Sequence, residues 1–513
     1  MSHFMPQPRD PSQIVLVPVS LDSAIPADCD VRMVAEAMEA LDWREFEASY
    51  AENGRPAYPP QVMCKLLVYG YLKGVRSSRQ LEEHSKYDQR FIWLAGGLRP
   101  DHTTFARFRR EHERELKKMF QGTVRLCTEA GLVLLAVTAT DGSKIPARAS
   151  RRSLYDAKRI ARERAAIAQM LAEAEAADRA EEAQAGGGRR GKLPEQLAEA
   201  QRRREKLAQL AARLQESGRQ KVAGGEADCR VMNTTQGLRP SYNAQLTVDG
   251  AQGVIVAAEV TTAETDHDQL LPQLALVVEN VGCRPDVMLA DTGYSSEGTF
   301  AALRERGQGA LMPPQGARGE RERQDLFASR CFLPEGREGK DEGVLICPAG
   351  RELTFRRLAK RRSGQYRIYT AQGKDCRACS FYGECVKAKG KRGRSVEVSV
   401  VAAVREAMRQ RLQTPEGKAL YKLRQQLVER VLAQLKSNHG LNRFLLPDLA
   451  GARAEFWLAC IAHNGLVYAR QVLRAANSAA GGLLAGFIAV VGRLSGRFLA
   501  LVAIYRPVLC PDS

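Results

Sequence analysis

Residues 132–144 read LVLLAVTATDGSK and residues 286–296 read DVMLADTGYSS. Each contains a run of aliphatic residues that stops at an aspartate, Asp141 or Asp291, with a glycine one or two places on, the pattern of a buried strand ending in a turn. Between them, SYNAQLTVDGAQGVIVAAEVTT (241–262) holds two β-type runs, 243–248 and 254–261, around Asp249, Gly250 and Gly253, which is a hairpin signal. Helical text follows at 268–281 and 296–306, and a short strand at 310–312. The order strand, hairpin, helix, strand, helix, strand predicts an α/β unit. It sets Asp141 at the end of the first strand and Asp291 at the end of the fourth, so that both carboxylates could meet at one edge of a sheet. Taken singly, an aspartate before glycine is most often a turn residue.

Towards the N-terminus the text is helical. Apolar residues at three-and-four spacing begin at Val31, and Pro59 and Pro60 can open a helix that Gly74 stops. Ser77 and Ser78 precede a further helix, and Asp101 is a plausible N-cap for DHTTFARFRREHERELKKMF (101–120). In that helix Phe105, Phe108 and Leu116 face inward while Arg107, Arg109, Arg110 and Arg114 populate the rest. It reads either as the basic helix of a helix-turn-helix, able to enter a major groove, or as a solvated helix of a bundle. Residues 154–216, rich in Ala, Arg, Glu, Gln and Leu and broken at Gly186, Gly187 and Gly188, predict a helical hairpin with a solvated charged face. Its seam would hold Ile160, Ile167 and Met170 on one arm and Leu207, Leu210 and Leu214 on the other. Beyond a basic, cysteine-bearing segment at 313–398 come long helices at 402–411 and 415–436 and a final helical region at 452–474.

These shifts of composition suggest a helical domain at 1–130, a core assembled from 131–152 and 228–314, an inserted hairpin at 153–227 and a cysteine-rich insertion at 315–398. Core helices at 399–475 and an apolar tail at 476–513 follow. The 513 residues carry 44% hydrophobic and 27% charged side chains, which excludes wholesale disorder, a collagen-like repeat and a small disulfide scaffold. Lys and Arg number 77 against 59 Asp and Glu, a net charge of +18 that points to a polyanionic partner, nucleic acid first among them. MSHFMPQPRDPSQIV lacks the pattern of a secretory signal, and the longest apolar run, 479–492, falls short of the roughly 20 residues of a spanning helix. A cytoplasmic protein with no membrane association is expected.

Two carboxylates sharing a site repel unless cations lie between them, and hard divalent ions prefer such oxygen ligands. A third acid is expected from the late helix YKLRQQLVERVLAQLKSNHGLNRF (421–444), where Glu429 is the candidate and Lys436 lies two turns on. Alone, Glu429 would read as an ordinary exposed helix residue. Together, TDGSKIPARASRR around Asp141, DCRVMNTTQGLRPSYNAQLTVD, LADTGYSS around Asp291, VERVLAQLKSNHGLNRF and LACIAHN resemble the bacterial insertion-sequence transposases of the DDE type, over residues 30–470.

That resemblance implies an RNase H-like catalytic core with a helical N-terminal DNA-binding domain, the inserted hairpin and the cysteine-rich insertion. Asp141, Asp291 and Glu429 match the acids that hold two Mg²⁺ or Mn²⁺ ions. The activity implied is DNA transposition: binding of element ends, metal-dependent phosphodiester cleavage and strand transfer into target DNA. Partners would be double-stranded DNA, as terminal inverted repeats and target, and a second copy of the chain in a homodimer; the location would be the bacterial nucleoid. Lys436 matches the lysine of the family's Tyr-x2-Arg-x3-Glu-x6-Lys signature, and Lys144 is a second candidate for phosphate contact. Tyr421 and Arg424 stand one residue early in that signature, which leaves Gln425 at the arginine position, and Pro447-Asp448-Leu449 replaces an Arg-Gly-Leu turn. A repressor that binds without cutting and an RNase H-like nuclease are the alternatives; the intact acids argue against the first, and the second gives no reason for a basic helical N-terminal domain.

Cys347, Cys376, Cys379 and Cys385 form the one cysteine cluster, with Cys331 as a possible substitute. Four thiolates suit tetrahedral zinc, and the Cys-x2-Cys pair is its strongest element; free thiols in a small module are the other reading. His463 reads as a core histidine, and Asp266, His267 and Asp268 as a metal-like tripeptide or a helix cap; neither joins the catalytic set. Residues 351–400 hold 14 Lys and Arg against 4 Asp and Glu. Arg356, Arg357, Arg361 and Arg362 within it, and Arg107 and Arg110 in the N-terminal helix, are the expected phosphate-gripping residues.

Overall fold

A computed structural model describes residues 20–50, 56–185, 195–314, 344–361, 364–386 and 393–473. Arg362, Cys331, the glycines at the hairpin tip and the apolar tail at 476–513 lie outside the described residues. The fold is mixed α/β with a helical N-terminal region. Its strands are, in chain order, β1 (Val137–Pro146), β2 (Leu154–Tyr155), β3 (Val222–Ala223), β4 (Arg230–Thr234), β5 (Gly237–Asp249) and β6 (Ile255–Thr261). They continue with β7 (Val287–Leu289), β8 (Gly309–Leu311), β9 (Leu345–Ile346), β10 (Glu352–Arg361), β11 (Gly364–Ala371) and β12 (Ser395–Ser399).

The larger sheet runs β4-β5-β1-β7-β8, with β6 paired to β5. β1 is antiparallel to β5 along its length and parallel to β7 over its first three residues, where Val137, Thr138 and Ala139 face Val287, Met288 and Leu289. The expected strand at 132–140 is corrected here. Residues 132–136 are a connection, buried except at Leu134 and held by the Asp249 carboxylate, which accepts the Leu135 amide at 2.8 Å, and β1 starts at Val137 and runs through Asp141 to Pro146. Asp141 therefore lies inside a strand, but beyond the end of its pairing with β7. The hairpin, the helices Leu270–Val281 and Glu297–Glu305 and the strand at 309–311 stand within a few residues of their expected places.

In the N-terminal region the helix Pro60–Leu72 buries Met63, Cys64, Leu66, Leu67, Tyr69 and Tyr71. The expected single helix from Asp101 is broken at His112, whose backbone leaves helical geometry and whose ring sits among Phe46, Tyr50 and Phe108. His102–Glu111 and Glu113–Glu129 result; Asp101 caps the first by accepting the Thr104 amide at 2.7 Å. Arg107, Arg110 and Arg114 are exposed as expected, but Arg109 is buried, donating to the Arg76 carbonyl at 2.9 Å and Ser78 Oγ at 2.6 Å. It fastens helices and is not available to a partner.

The helix Asp448–Tyr468 is mostly apolar around its circumference and buried along most of its length, packed against Pro60–Leu72, Glu113–Glu129 and β6. It joins the helical region to the sheet. Glu455 within it pairs with Arg76 and accepts the Leu445 amide at 2.7 Å, while Arg76 also donates to the Arg443 carbonyl at 2.7 Å. A buried carboxylate needs such partners, and these fix the chain that follows Lys436. The hairpin Ala157–Ala185 and Glu195–Ser217 closes over Ile160, Ile167, Leu207 and Leu210, with Leu214 partly buried, but Met170 points to solvent, 49% exposed, contrary to expectation. β12-β11-β10-β9 form a separate antiparallel sheet.

Candidate functional site

The register of β1 and β7 places the two aspartates. Ala139 faces Leu289 in the last pair of β1 and β7; Asp141 lies two residues further along β1 and Asp291 two residues past the end of β7, close enough that the Asp291 carboxylate acts on Asp141. Asp291 caps the turn Thr292–Tyr294 by accepting the Gly293 amide at 2.7 Å, and Asp141 accepts the Gly142 amide at 2.8 Å. Burial pushes the Asp141 carboxyl up to about 6; the Arg424 guanidinium opposes this and the neighbouring Asp291 carboxylate adds to it.

Glu429 arrives from the other side. Arg424 Nη1 donates to Asp141 Oδ2 at 3.1 Å and its Nη2 donates to Glu429 Oε1 at 2.9 Å, so one guanidinium spans the two acids. Arg424 and Glu429 are five residues apart, which in a regular α-helix would separate them by about 140° around the axis. They meet because the helix opens into a π-turn at Gln425–Glu429, between Pro415–Arg424 and Arg430–Ser437. A π-turn accommodates one extra residue. The expectation that Gln425 takes the arginine position is therefore corrected: Gln425 is exposed, and Arg424 reaches the acids. Lys436 is half-buried and senses the Asp141 charge, while burial holds its ammonium below the usual range.

Asp266, set aside in the sequence reading, stands beside the aspartates. Its carboxylate accepts Lys144 Nζ at 2.7 and 2.9 Å, Asn243 Nδ2 at 2.8 Å and Gln245 Nε2 at 2.6 Å, and Tyr294 donates its hydroxyl to Gln245. Lys144 is thus committed to a carboxylate. Gly142 makes this packing possible, since a Cβ there would meet Gln245 Nε2 at 2.2 Å and Asp266 Oδ1 at 2.8 Å. The helix expected to be capped by the Asp266–Asp268 tripeptide begins at Leu270 with no side-chain cap. His463 is a core histidine, with Nε2 at 2.9 Å from the Gly253 carbonyl oxygen.

Arg356 and Arg357 lie exposed on β10, where the register with β11 shifts between Phe355 and Arg357. Arg361 is also exposed but donates to Glu397 across the sheet. Cys347, Cys376, Cys379 and Cys385 line one cavity of about 30 Å³, and all four are free thiols. Among the described residues, no three His, Cys, Asp or Glu side chains converge as they stand to hold a metal ion, and no helix is long and apolar enough to cross a membrane.

Residues 346–466, which include Glu429 and Lys436, match the family model described as a transposase DDE domain. Residues 19–111, the helical region as far as the end of His102–Glu111, match a second model, a transposase domain. Asp141 and Asp291 fall between the two matches, and no curated protein matches the chain. Two transposase models match separate stretches, one over the helical N-terminal region and one over the helix that carries Glu429, and together they support an insertion-sequence transposase of the DDE type.

Proposed function

We propose that this transposase cuts and joins DNA at a divalent-metal site formed by Asp141, Asp291 and Glu429 in an RNase H-like core. The observation that carries the reading is the Arg424 guanidinium bridging Asp141 and Glu429, with Asp291, just past the end of the adjoining strand, acting on the Asp141 carboxyl. Strand order supports the core assignment: a three-stranded antiparallel meander, β1, β5 and β6, followed by the parallel strands β7 and β8 on the other side of β1.

The donor set fits the ion. Three carboxylates are hard oxygen ligands of the kind Mg²⁺ and Mn²⁺ take, and their mutual repulsion calls for a cation among them. Bound there, the metal would activate water and stabilise the departing 3′ oxygen. The chain's own residues do the rest. Arg424 balances the acids in the absence of DNA and turns to a phosphate when a strand enters. Lys436 contributes a second cation facing Asp141. Asp266 holds Lys144, Asn243 and Gln245 in one network, which fixes the wall behind β1; Lys144 reaches DNA only by leaving that pair.

Arg107 and Arg110 on the N-terminal helix and Arg356, Arg357 and Arg361 on β10 supply phosphate contacts to the element ends and target, with Arg362 beside them in sequence. Two ends must be brought together, so a homodimer on DNA is the working assembly. The test is cleavage of DNA carrying the element's ends, with Mg²⁺ or Mn²⁺, beside Asp141→Ala, Asp291→Ala and Glu429→Ala. Cleavage by the parent and none by variants that still bind is expected. Cleavage that survives all three substitutions defeats the proposal, and tight binding by a parent that never cuts favours a repressor.

A further inference from the structure

We infer that Cys347, Cys376, Cys379 and Cys385 form a structural zinc site that holds the four-stranded sheet together. The thiols come from three separate places: the turn between β9 and β10, the short helix Gly373–Arg377 with the turn after it, and the end of Tyr382–Cys385. Chain folding brings them around one cavity of about 30 Å³, enough for an ion or a water and too small for an organic ligand.

The backbone around two of the sulfurs is arranged for negative charge. The Arg351 amide donates to Cys347 Sγ at 3.3 Å and the Arg394 amide to Cys376 Sγ at 3.4 Å. A neutral thiol is a weak acceptor, whereas a metal-bound thiolate is a strong one. The Cys347 turn is built to aim that donor: Gly350, at φ +73°, donates its amide to the Cys347 carbonyl at 2.8 Å, and the Cys347 amide returns to the Arg351 carbonyl at 2.8 Å. Left-handed backbone of this kind suits glycine. The Cys379 amide donates to the Cys376 carbonyl at 3.1 Å, which curls the Cys-x2-Cys segment around the same cavity.

The described core of the sheet is small. Its buried cluster is Leu345, Leu353, Tyr369, Ala371 and Val396, and Cys347, Cys376 and Cys385 pack against it. Folds with cores this small commonly take a metal or disulfides, and here every thiol is free. Soft sulfur ligands and a closed set of four select zinc in a structural role, with no position left open for chemistry. The thiols line the cavity without converging as they stand, and side-chain rotation would bring each to about 2.3 Å from the ion.

The test uses the full chain purified without chelator. One zinc per chain by elemental analysis is expected. Replacement by Co²⁺ should give the thiolate-to-cobalt absorption and the intense visible bands of a tetrahedral site. The Cys376→Ser/Cys379→Ser variant should lose the metal, while Cys283→Ser, at an exposed cysteine elsewhere, should keep it. If the double variant does not fold, the cobalt spectrum of the parent decides. A parent with neither zinc nor a tetrahedral cobalt spectrum, zinc unchanged in a folded double variant, or disulfides found by mass among the four cysteines would each overturn the site. Asp141→Ala should retain its zinc, so this result stands or falls apart from the role of the acids.

Discussion

The six-stranded sheet carries its acids on a backbone that needs no ion. β5 is buried continuously from Pro240 to Asp249, and its polar residues Asn243 and Gln245 are hydrogen-bonded to Asp266. The four-stranded sheet has β10 exposed at most of its positions, and its cysteines fill out a shallow core. Both regions gather candidate metal ligands. In the first, the scaffold is complete and an ion would be a reagent; in the second, the ion would be part of the scaffold. Removing metal should therefore separate them. Chelation of Mg²⁺ should stop cleavage and leave folding intact, while stripping zinc should loosen the small sheet and weaken DNA binding.

The largest effect sharpens the first half of that contrast. Glu429→Gln and Asp291→Asn should each lower the cleavage rate by roughly a thousandfold or more, equivalent to about 4 kcal/mol of barrier, with little change in melting temperature. Loss of cleavage accompanied by unfolding would mean that the acids are structural, and the contrast between the sheets would fail. Asp266→Asn should cost less, about tenfold to a hundredfold in rate, because it loosens Lys144 and Gln245 without removing a proposed ligand; an unchanged rate would confine the network to stability.

Much of this was legible in the sequence where local pattern and fold agree. The aliphatic run before Asp291 announces the short buried strand β7, and the run before Asp141 announces β1 from Val137 on, although that strand does not stop at the aspartate. What was hidden depends on contacts distant in sequence or on breaks of period. Lys144 and Asp266 are 122 residues apart, and no periodicity relates them. The break at His112 follows from a ring packed among Phe46, Tyr50 and Phe108, which helix propensity does not register. The start of β1 moved because Asp249 captures the Leu135 amide.

A smaller effect concerns pH. The folded Asp141 carboxyl is raised from 3.8 to about 6, chiefly by burial, so the folded state binds its proton more tightly than the unfolded chain does. The resulting stability is present below about pH 4 and is lost as pH rises through about 6. Without metal, the parent should lose on the order of 2–3 kcal/mol across that window relative to Asp141→Asn, as read from urea midpoints. Saturating Mg²⁺ should reduce the loss, since the ion favours the ionised form. The same chelation series at the small sheet should show no such dependence on Asp141.

The smallest expected change is the most discriminating test of the π-turn. Chain spacing in Tyr421-x2-Arg424-x4-Glu429-x6-Lys436 exceeds the family signature by one residue between Arg424 and Glu429, and the π-turn at Gln425–Glu429 lies where that residue must be absorbed. Gln425 and Gln426 are both exposed, so neither is needed for packing. Deleting Gln426 should let the helix close to a regular α form, return Arg424 and Glu429 to a four-residue spacing on one face, and leave the cleavage rate within a few-fold of the parent. Deleting Ala433, three residues before Lys436 in the regular helix Arg430–Ser437, should instead turn Lys436 about 100° away from Glu429 and depress cleavage and end binding together. If the two deletions are equally damaging, the wide turn is not an insertion that the helix can shed but a shape the site requires. The acid site would then depend on a local irregularity, as the small sheet is proposed to depend on its ion.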